Sequence, residues 1–178
     1  MNNAVVVRRA EVDDALAIAE VHVASWNGAY RGLMPQQLLD AHTVQRREPL
    51  WRDQLASACV TTWVAELSGR VIGFASVGPS RDSDITGAVG ELRAIYLTPE
   101  AWGTGAGYAL HESALATLAT NYDEAVLWVL DSNARAREFY ERHHWSADGA
   151  TKQETRGDAV LNEVRYRRFT AATGRGQL

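Results

Sequence analysis

Three glycines on alternate positions, Gly103, Gly105 and Gly107, stand between a strand-like run and a helical one. The run before them, Glu91 to Leu97 (ELRAIYL), is rich in β-branched, aromatic and aliphatic residues. It stops at Thr98-Pro99, because proline cannot continue a ladder. After the glycines, Leu110, Ala114, Leu115 and Leu118 recur at helical spacing. A strand, a glycine-rich turn and a helix together aim unpaired backbone N–H groups at an anion. Glycine lets that backbone approach a pyrophosphate without Cβ clashes. The chemistry this stretch predicts is therefore a phosphate cradle.

Two common nucleotide loops do not fit it. The dinucleotide fingerprint is G-x-G-x-x-G after a first strand. Here the spacing is G-x-G-x-G, and Tyr108 occupies the register where the third glycine belongs. A Walker loop ends in Gly-Lys-Ser/Thr, and the single lysine of the chain is Lys152. Other reactive side chains are sparse. Cys59 lies in an apolar run and reads as a small core residue. His22, His42, His111, His143 and His144 show no metal-ligand spacing, so no metal is expected, and His111 reads as exposed. Trp26 and Tyr30, in WNGAYRGLMP, suit either a cleft wall or the core.

The elements that must position these residues are legible from periodicity. A short strand at Val5 to Arg8 precedes a helix that Asp13 or Asp14 can cap, with Leu16, Ala19, Val23, Trp26 and Tyr30 on one face. A second helical region opens at Pro35 and runs on through Val44 to Leu55. Cys59 to Glu66 and Arg70 to Gly78 are strands joined by a Ser68-Gly69 hairpin turn. The polar segment 79–87 joins them to the central strand and could border a site. Glu124 to Leu130 (EAVLWVL) is almost continuously apolar, as in a strand covered on both faces. Asp131 to Arg142 is a capped helix, and His144-Trp145 leads into a sixth strand. Lys152 to Asp158 reads as a polar connector, and Val160 to Phe169 as the last strand, with its arginines on one face. A helix between the fourth and fifth strands implies a parallel pair there; the hairpin-linked second to fourth strands are antiparallel.

Length and composition bound the rest. With 178 residues and 46% apolar content, one domain over residues 1–170 is expected, followed by a disordered tail at 171–178. A net charge of −4 argues against a nucleic-acid surface. One cysteine excludes an internal disulfide. No apolar run approaches the ~20 residues of a membrane span, and the N-terminal residues lack a signal-peptide core. A cytoplasmic location is the expectation.

Two segments resemble the GNAT superfamily of acyl-CoA N-acyltransferases. ELRAIYLTPEAWGTGAG is similar to the strand and loop carrying Arg/Gln-x-x-Gly-x-Gly/Ala, with Trp102 where Arg or Gln is usual. Asn133-x-x-Ala136-x-x-Phe139-Tyr140 is similar to the family's Asn-x-x-Ala-x-x-Phe-Tyr segment, with His144-Trp145 replacing the Gly-Phe that usually follows. His144 then takes a glycine's place in a left-handed turn. The resemblance implies an α/β (α+β) GNAT fold. Its seven-stranded sheet is mixed and mostly antiparallel, has helices on both faces, and contains a parallel central pair that splays apart.

What the resemblance implies for chemistry follows residue by residue. Acetyl-CoA would be the cosubstrate. Its pantetheine would pair with the backbone along Ile95, Tyr96 and Leu97, chiefly at Ile95 and Leu97. Its pyrophosphate would sit on the N–H groups of Gly103, Thr104, Gly105, Ala106, Gly107 and Tyr108. Asn133 and Ala136 would lie beside the coenzyme, with Asn133 bonding pantetheine or nearby backbone. Direct transfer to an amine needs a neutral amine, a stabilised oxyanion and a proton for the leaving thiolate. Tyr140 matches the family's acid, or else is a packed aromatic that touches the coenzyme. Glu91 is the base candidate, acting through water because a carboxylate with a pKa of about 4.3 is weak; otherwise it is half of an ion pair with Arg93. Regular alternation would put Glu91, Arg93 and Ile95 on one face. Trp26, Tyr30 and segment 79–87 would border an acceptor that is a small amine, amino acid derivative or peptide N-terminus. The competing readings are a silent acyl-CoA sensor, and an acyltransferase with another acyl donor or a hydroxyl acceptor. The arginines of the last strand leave room for pairing with a second copy in a homodimer, or for a solvated edge.

Overall fold

The computed structural model describes residues 4–32, 34–156 and 159–170; the expected tail at 171–178 lies outside the described residues. The elements are β1 (Val6–Arg9), α1 (Ala15–Tyr30), α2 (Gln36–Asp40), α3 (Val44–Ala56), β2 (Thr61–Leu67), β3 (Arg70–Pro79), β4 (Val89–Leu97), α4 (Ala106–Leu118), β5 (Glu124–Leu130), α5 (Ala134–Arg142), β6 (Ser146–Arg156) and β7 (Ala159–Phe169). The second helical region is thus two helices rather than one.

The strands form one sheet in the order β1-β2-β3-β4-β5-β7-β6. Every neighbouring pair is antiparallel except β4–β5. That parallel pair is held only at Val89–Glu124, Gly90–Ala125 and Glu91–Val126. From Leu92 and Leu127 onward the two strands run without pairing to each other, while β3 continues beside β4 and β7 beside β5. The sheet therefore opens into a wedge between its central strands.

Each face is closed by helices. On one, Leu110, Ala114, Leu115 and Leu118 of α4 pack on Ala65, Ala75, Val77, Leu92, Ala125 and Leu127. On the other, Ile18 and Ala19 of α1 and Trp51 of α3 pack on Val64 and Phe74. A fully buried Leu or Phe of this kind contributes about 1.5–3 kcal/mol. At Gly28 a Cβ would sit 2.7 Å from Pro99 Cγ, so α1 lies directly against the chain leaving β4.

β4 carries a bulge. Ser76 faces Ala94 and Val77 faces Leu92, leaving Arg93 as the extra residue. Alternation is therefore not regular. Leu92, Ile95 and Leu97 join the α4-side core, Ala94 and Tyr96 pack on the α1 side, and Arg93 reaches over Gly78 of β3.

Two other expectations are corrected here. Lys152 to Arg156 is not a connector but the far half of β6, paired to β7 by backbone and by Lys152–Glu163 (3.1 Å) and Gln153–Asn162 (2.8 Å). Its polar composition reflects an outer strand, whose side chains meet water. β7 in turn is flanked on both sides by β5 and β6, so it has no open edge with which to pair a second copy. Arg165 is not solvated either; it is buried and bonded to Asp82, Asp84 and Asp148.

Candidate active site

The wedge is the mouth of a cleft of ≈ 750 Å³. One limb is built by the end of β4, the loop before α4 and the start of α5. Gly103 and Gly105 have φ of 77° and 88°, the left-handed region that side chains avoid. A Cβ at either would meet nothing within 4 Å, so the turn itself, not crowding, requires glycine, and the surface above stays open. Gly105 caps α4, whose first intrahelical bond is Ala109 N–H to the Gly105 carbonyl (3.1 Å). The N–H groups of Ala106, Gly107 and Tyr108 precede it and have no helical acceptor. That is an anion site by geometry and by helix dipole.

Not every residue of the predicted cradle faces the cleft. Gly103, Gly105, Gly107 and Tyr108 line it; Thr104 and Ala106 do not. The Thr104 hydroxyl instead donates to the Ala101 carbonyl (2.7 Å) and accepts weakly from Ala106 N–H (3.4 Å), stiffening the loop. Arg135, at the start of α5, lies 3.5 Å over the Trp102 ring and adds a cation beside the cradle. Sequence reasoning missed Arg135, although it sits inside the Asn133–Tyr140 segment.

The backbone of β4 is oriented for pairing across the wedge. Thr98 N–H bonds Ile72 on β3 (2.9 Å), and Tyr96 faces Phe74 on the same strand. By alternation the polar groups of Ile95 and Leu97 point the other way, into the gap. The Leu97 carbonyl is already engaged by the Ser25 hydroxyl (2.6 Å) and the Trp102 indole N–H (3.2 Å). This leaves the N–H of both residues and the carbonyl of Ile95. Trp102, the departure from the usual motif, thus braces the strand end. Asn133 caps α5, its side-chain oxygen accepting from Ala136 N–H (3.1 Å), and Asn133 and Ala136 both line the cleft.

Tyr140 lines the cleft from the α4 side, almost fully buried. Burial, and secondarily Tyr30, raise its phenol above the ordinary value, so it stays protonated. Its ring packs edge-on to Phe139 and Trp145. Trp145 donates to His111 Nε2 (2.9 Å). His111 is completely buried, contrary to the exposed position expected from its place early in α4. Burial holds its pKa down to about 3. His144 has φ of 64°, the left-handed turn expected of it. Cys59 is exposed, not a core residue, because β2 begins two residues after it.

The other limb lies on the α1 side. Trp26 and Tyr30 both line it, in edge contact at 4.4 Å, with Trp26 stacked on His42 at 4.5 Å. Glu91 is 2% exposed and opens onto this limb. Its partner is Arg81, not Arg93. Arg81 donates from Nη2 (2.5 Å), Nε (3.0 Å) and its backbone N–H (3.1 Å). Segment 79–87 therefore borders the cleft and is tied down further by Asp82, which accepts from the Trp128 indole (3.0 Å) and from Arg165. No periodic signal marks Arg81, since its loop has no period.

The Acetyltransferase (GNAT) family model matches residues 25–145. The chain is 35% identical over 130 residues to the uncharacterized N-acetyltransferase YuaI of Bacillus subtilis, covering 72% of this chain and 73% of that one. It is also 35% identical over 137 residues to an uncharacterized N-acetyltransferase of Archaeoglobus fulgidus, covering 75% and 88%. Its fold matches the PaiA N-acetyltransferase of Thermoplasma acidophilum, solved in complex with coenzyme A. That match has a TM-score of 0.72 and 17% identity, over 93% of this chain and 99% of that one. By its splayed parallel pair, its glycine cradle and its family match, the chain belongs to the GNAT acetyltransferase family and is an acyl-CoA-dependent acetyltransferase.

Proposed function

We propose that this acetyltransferase passes the acetyl group of acetyl-CoA directly to a primary amine of a small molecule or peptide. The observation that carries the reading is the disposition of two proton-handling groups about one gap. Glu91 opens on the α1 side and Tyr140 on the α4 side, and both line the cleft where β4 and β5 part. An acceptor entering from one side and a thioester lying in the gap would meet between them.

The chain's own groups then have distinct tasks. The Gly103, Gly105, Gly107 and Tyr108 N–H groups hold the pyrophosphate, with Arg135 as a nearby cation. The N–H groups of Ile95 and Leu97 hold pantetheine, and the Ile95 N–H, or one beside it, polarises the thioester carbonyl. Tyr140 returns a proton to the thiolate. Glu91 is gripped by Arg81 through three bonds, and a carboxylate clamped in this way is a poor direct base. It acts by lowering the cost of a cationic amine at the mouth and by ordering the water that removes the proton. Trp26 and Tyr30 shield the amine from bulk water.

The test is thiol release from acetyl-CoA over a panel of primary amines and matched alcohols. Amine-dependent release supports the reading. Release with alcohols alone, or bound acetyl-CoA with no release on any amine, contradicts it.

A further inference from the structure

The acceptor limb holds a guanidinium that the mechanism above does not use. Arg93 is the bulged residue of β4; its side chain lies on the same side of the sheet as Glu91 and reaches over β3, while the bulge sends Ile95 to the opposite side. Gly78 makes room for it: a Cβ there would sit 3.0 Å from Arg93 Cζ and Nη2. Arg93 donates from Nη2 to the Pro79 carbonyl (2.9 Å). Its Nε–H is buried and meets no acceptor. Glu91, the nearest carboxylate on its strand, is already held by Arg81 through three bonds.

At the bulge itself two guanidinium groups thus share one buried carboxylate, while Asp82 and Glu163 act on Arg81 and not on Arg93. Burial, and then the proximity of Arg81, pull Arg93 below the ordinary arginine value, as expected for a cation held next to another. A half-buried cation with an unsatisfied N–H is costly to keep, and a planar fork of donors matches a carboxylate. Beyond it, the wall of the cleft carries Lys152 paired with Glu163, and Glu154 beside them.

We infer that Arg93 binds a carboxylate of the acceptor, so that the substrates are amines of amino-acid type and not simple alkylamines. This rests on the amine-transfer reading and sharpens it. The carboxylate docks on the bulge beside the Arg81–Glu91 pair. The amine end is then directed along β4 toward Ile95 and the gap, with Glu91 at its flank. The bulge is the device that selects for charge, because a regular strand would carry Arg93 in step with Ile95.

The experiment compares amino acids with their own neutral amides as acceptors, in wild type, Arg93→Gln and Arg93→Lys. For at least one pair the acid should exceed the amide in kcat/KM by about 10- to 100-fold, the worth of a charge-assisted bond. Arg93→Gln should bring that ratio to about 1 while the acetyl-CoA affinity holds. Arg93→Lys, which keeps the charge and loses the fork, should give an intermediate ratio. Thiol release with a ratio near 1 for every pair in wild type overturns the assignment and leaves amine transfer standing. So does a ratio that survives Arg93→Gln. If no amine turns over, amine transfer fails, and calorimetry of the acids against the acetyl-CoA complex decides the assignment separately. Binding by wild type and not by Arg93→Gln supports it; equal binding or none overturns it.

Discussion

Replacing Tyr140 by Phe removes one oxygen and little else. The ring keeps its edge contacts with Phe139 and Trp145, at centroid distances of 5.6 Å and 6.3 Å, so packing is conserved. Loss of the hydroxyl alone changes stability by about 1 kcal/mol or less. The kinetic cost is of a different order. A positioned general acid contributes about 10²- to 10⁴-fold, which is about 2.7–5.4 kcal/mol of barrier. The hydroxyl is suited to the part because burial raises it above its ordinary value and keeps its proton in place. The assay separates two numbers: kcat from thiol release at saturating acetyl-CoA, and Kd for acetyl-CoA by calorimetry. The expected result is a kcat lower by about 10²-fold or more with Kd changed by less than about tenfold. Equal factors in both would make Tyr140 a contact residue, and an unchanged kcat would remove it from the reaction. An alkaline fall in wild-type activity below the ordinary phenol range must come from some other group.

Two further outcomes follow from the backbone at Gly105 and from the buried histidines. Gly105→Val forces a β-branched residue to a φ of 88°. At about 1–3 kcal/mol of strain it should weaken acetyl-CoA binding by about 10- to 100-fold in calorimetry, and normal affinity would undo the cradle assignment. His111 and His22 are both held near pKa 3, chiefly by burial, from an ordinary value of 6.5. The unfolded chain takes up a proton on each below 6.5 and the folded chain does not until about 3. Stability is therefore lost as pH falls from 6.5 toward 3, by about 2 kcal/mol per histidine at pH 5. Urea melts at neutral pH and at pH 5 should show this loss, and His111→Gln should remove about half of it; a pH-independent wild-type melt would contradict the burial argument.

Much of the fold was readable because its signals are local. The parallel β4–β5 pair followed from a helix between two apolar strands, and the glycine turn from three alternate glycines after a strand, to which the structure adds that Gly103 and Gly105 are left-handed. The left-handed His144 was inferred from the residue that usually stands there. What escaped has a common cause. A bulge adds one residue without altering composition, so alternation kept Arg93 with Glu91 but wrongly put Ile95 on their face. The Arg81–Glu91 pair joins an aperiodic loop to a strand, and Arg135 of α5 meets Trp102 of the loop before α4; neither contact has a sequence period. His111 looked exposed because it begins a helix beside a ligand loop. It is buried because α5 and the turn into β6 bring Trp145 over it, a contact between residues far apart in the chain. Lys152 to Arg156 looked like a connector because an outer strand need not alternate apolar residues when water covers it.

The central claim is that the β4–β5 wedge and the α4 cradle receive one molecule of acetyl-CoA. Amide chemical shifts of isotope-labelled protein, followed through a titration with acetyl-CoA, test it most directly. The account predicts saturable changes concentrated at the N–H groups of Ile95, Leu97, Gly103, Gly105, Gly107 and Tyr108, with the outer strands β1 and β6 largely unmoved. Changes absent from those six, or centred elsewhere on the sheet, would contradict it.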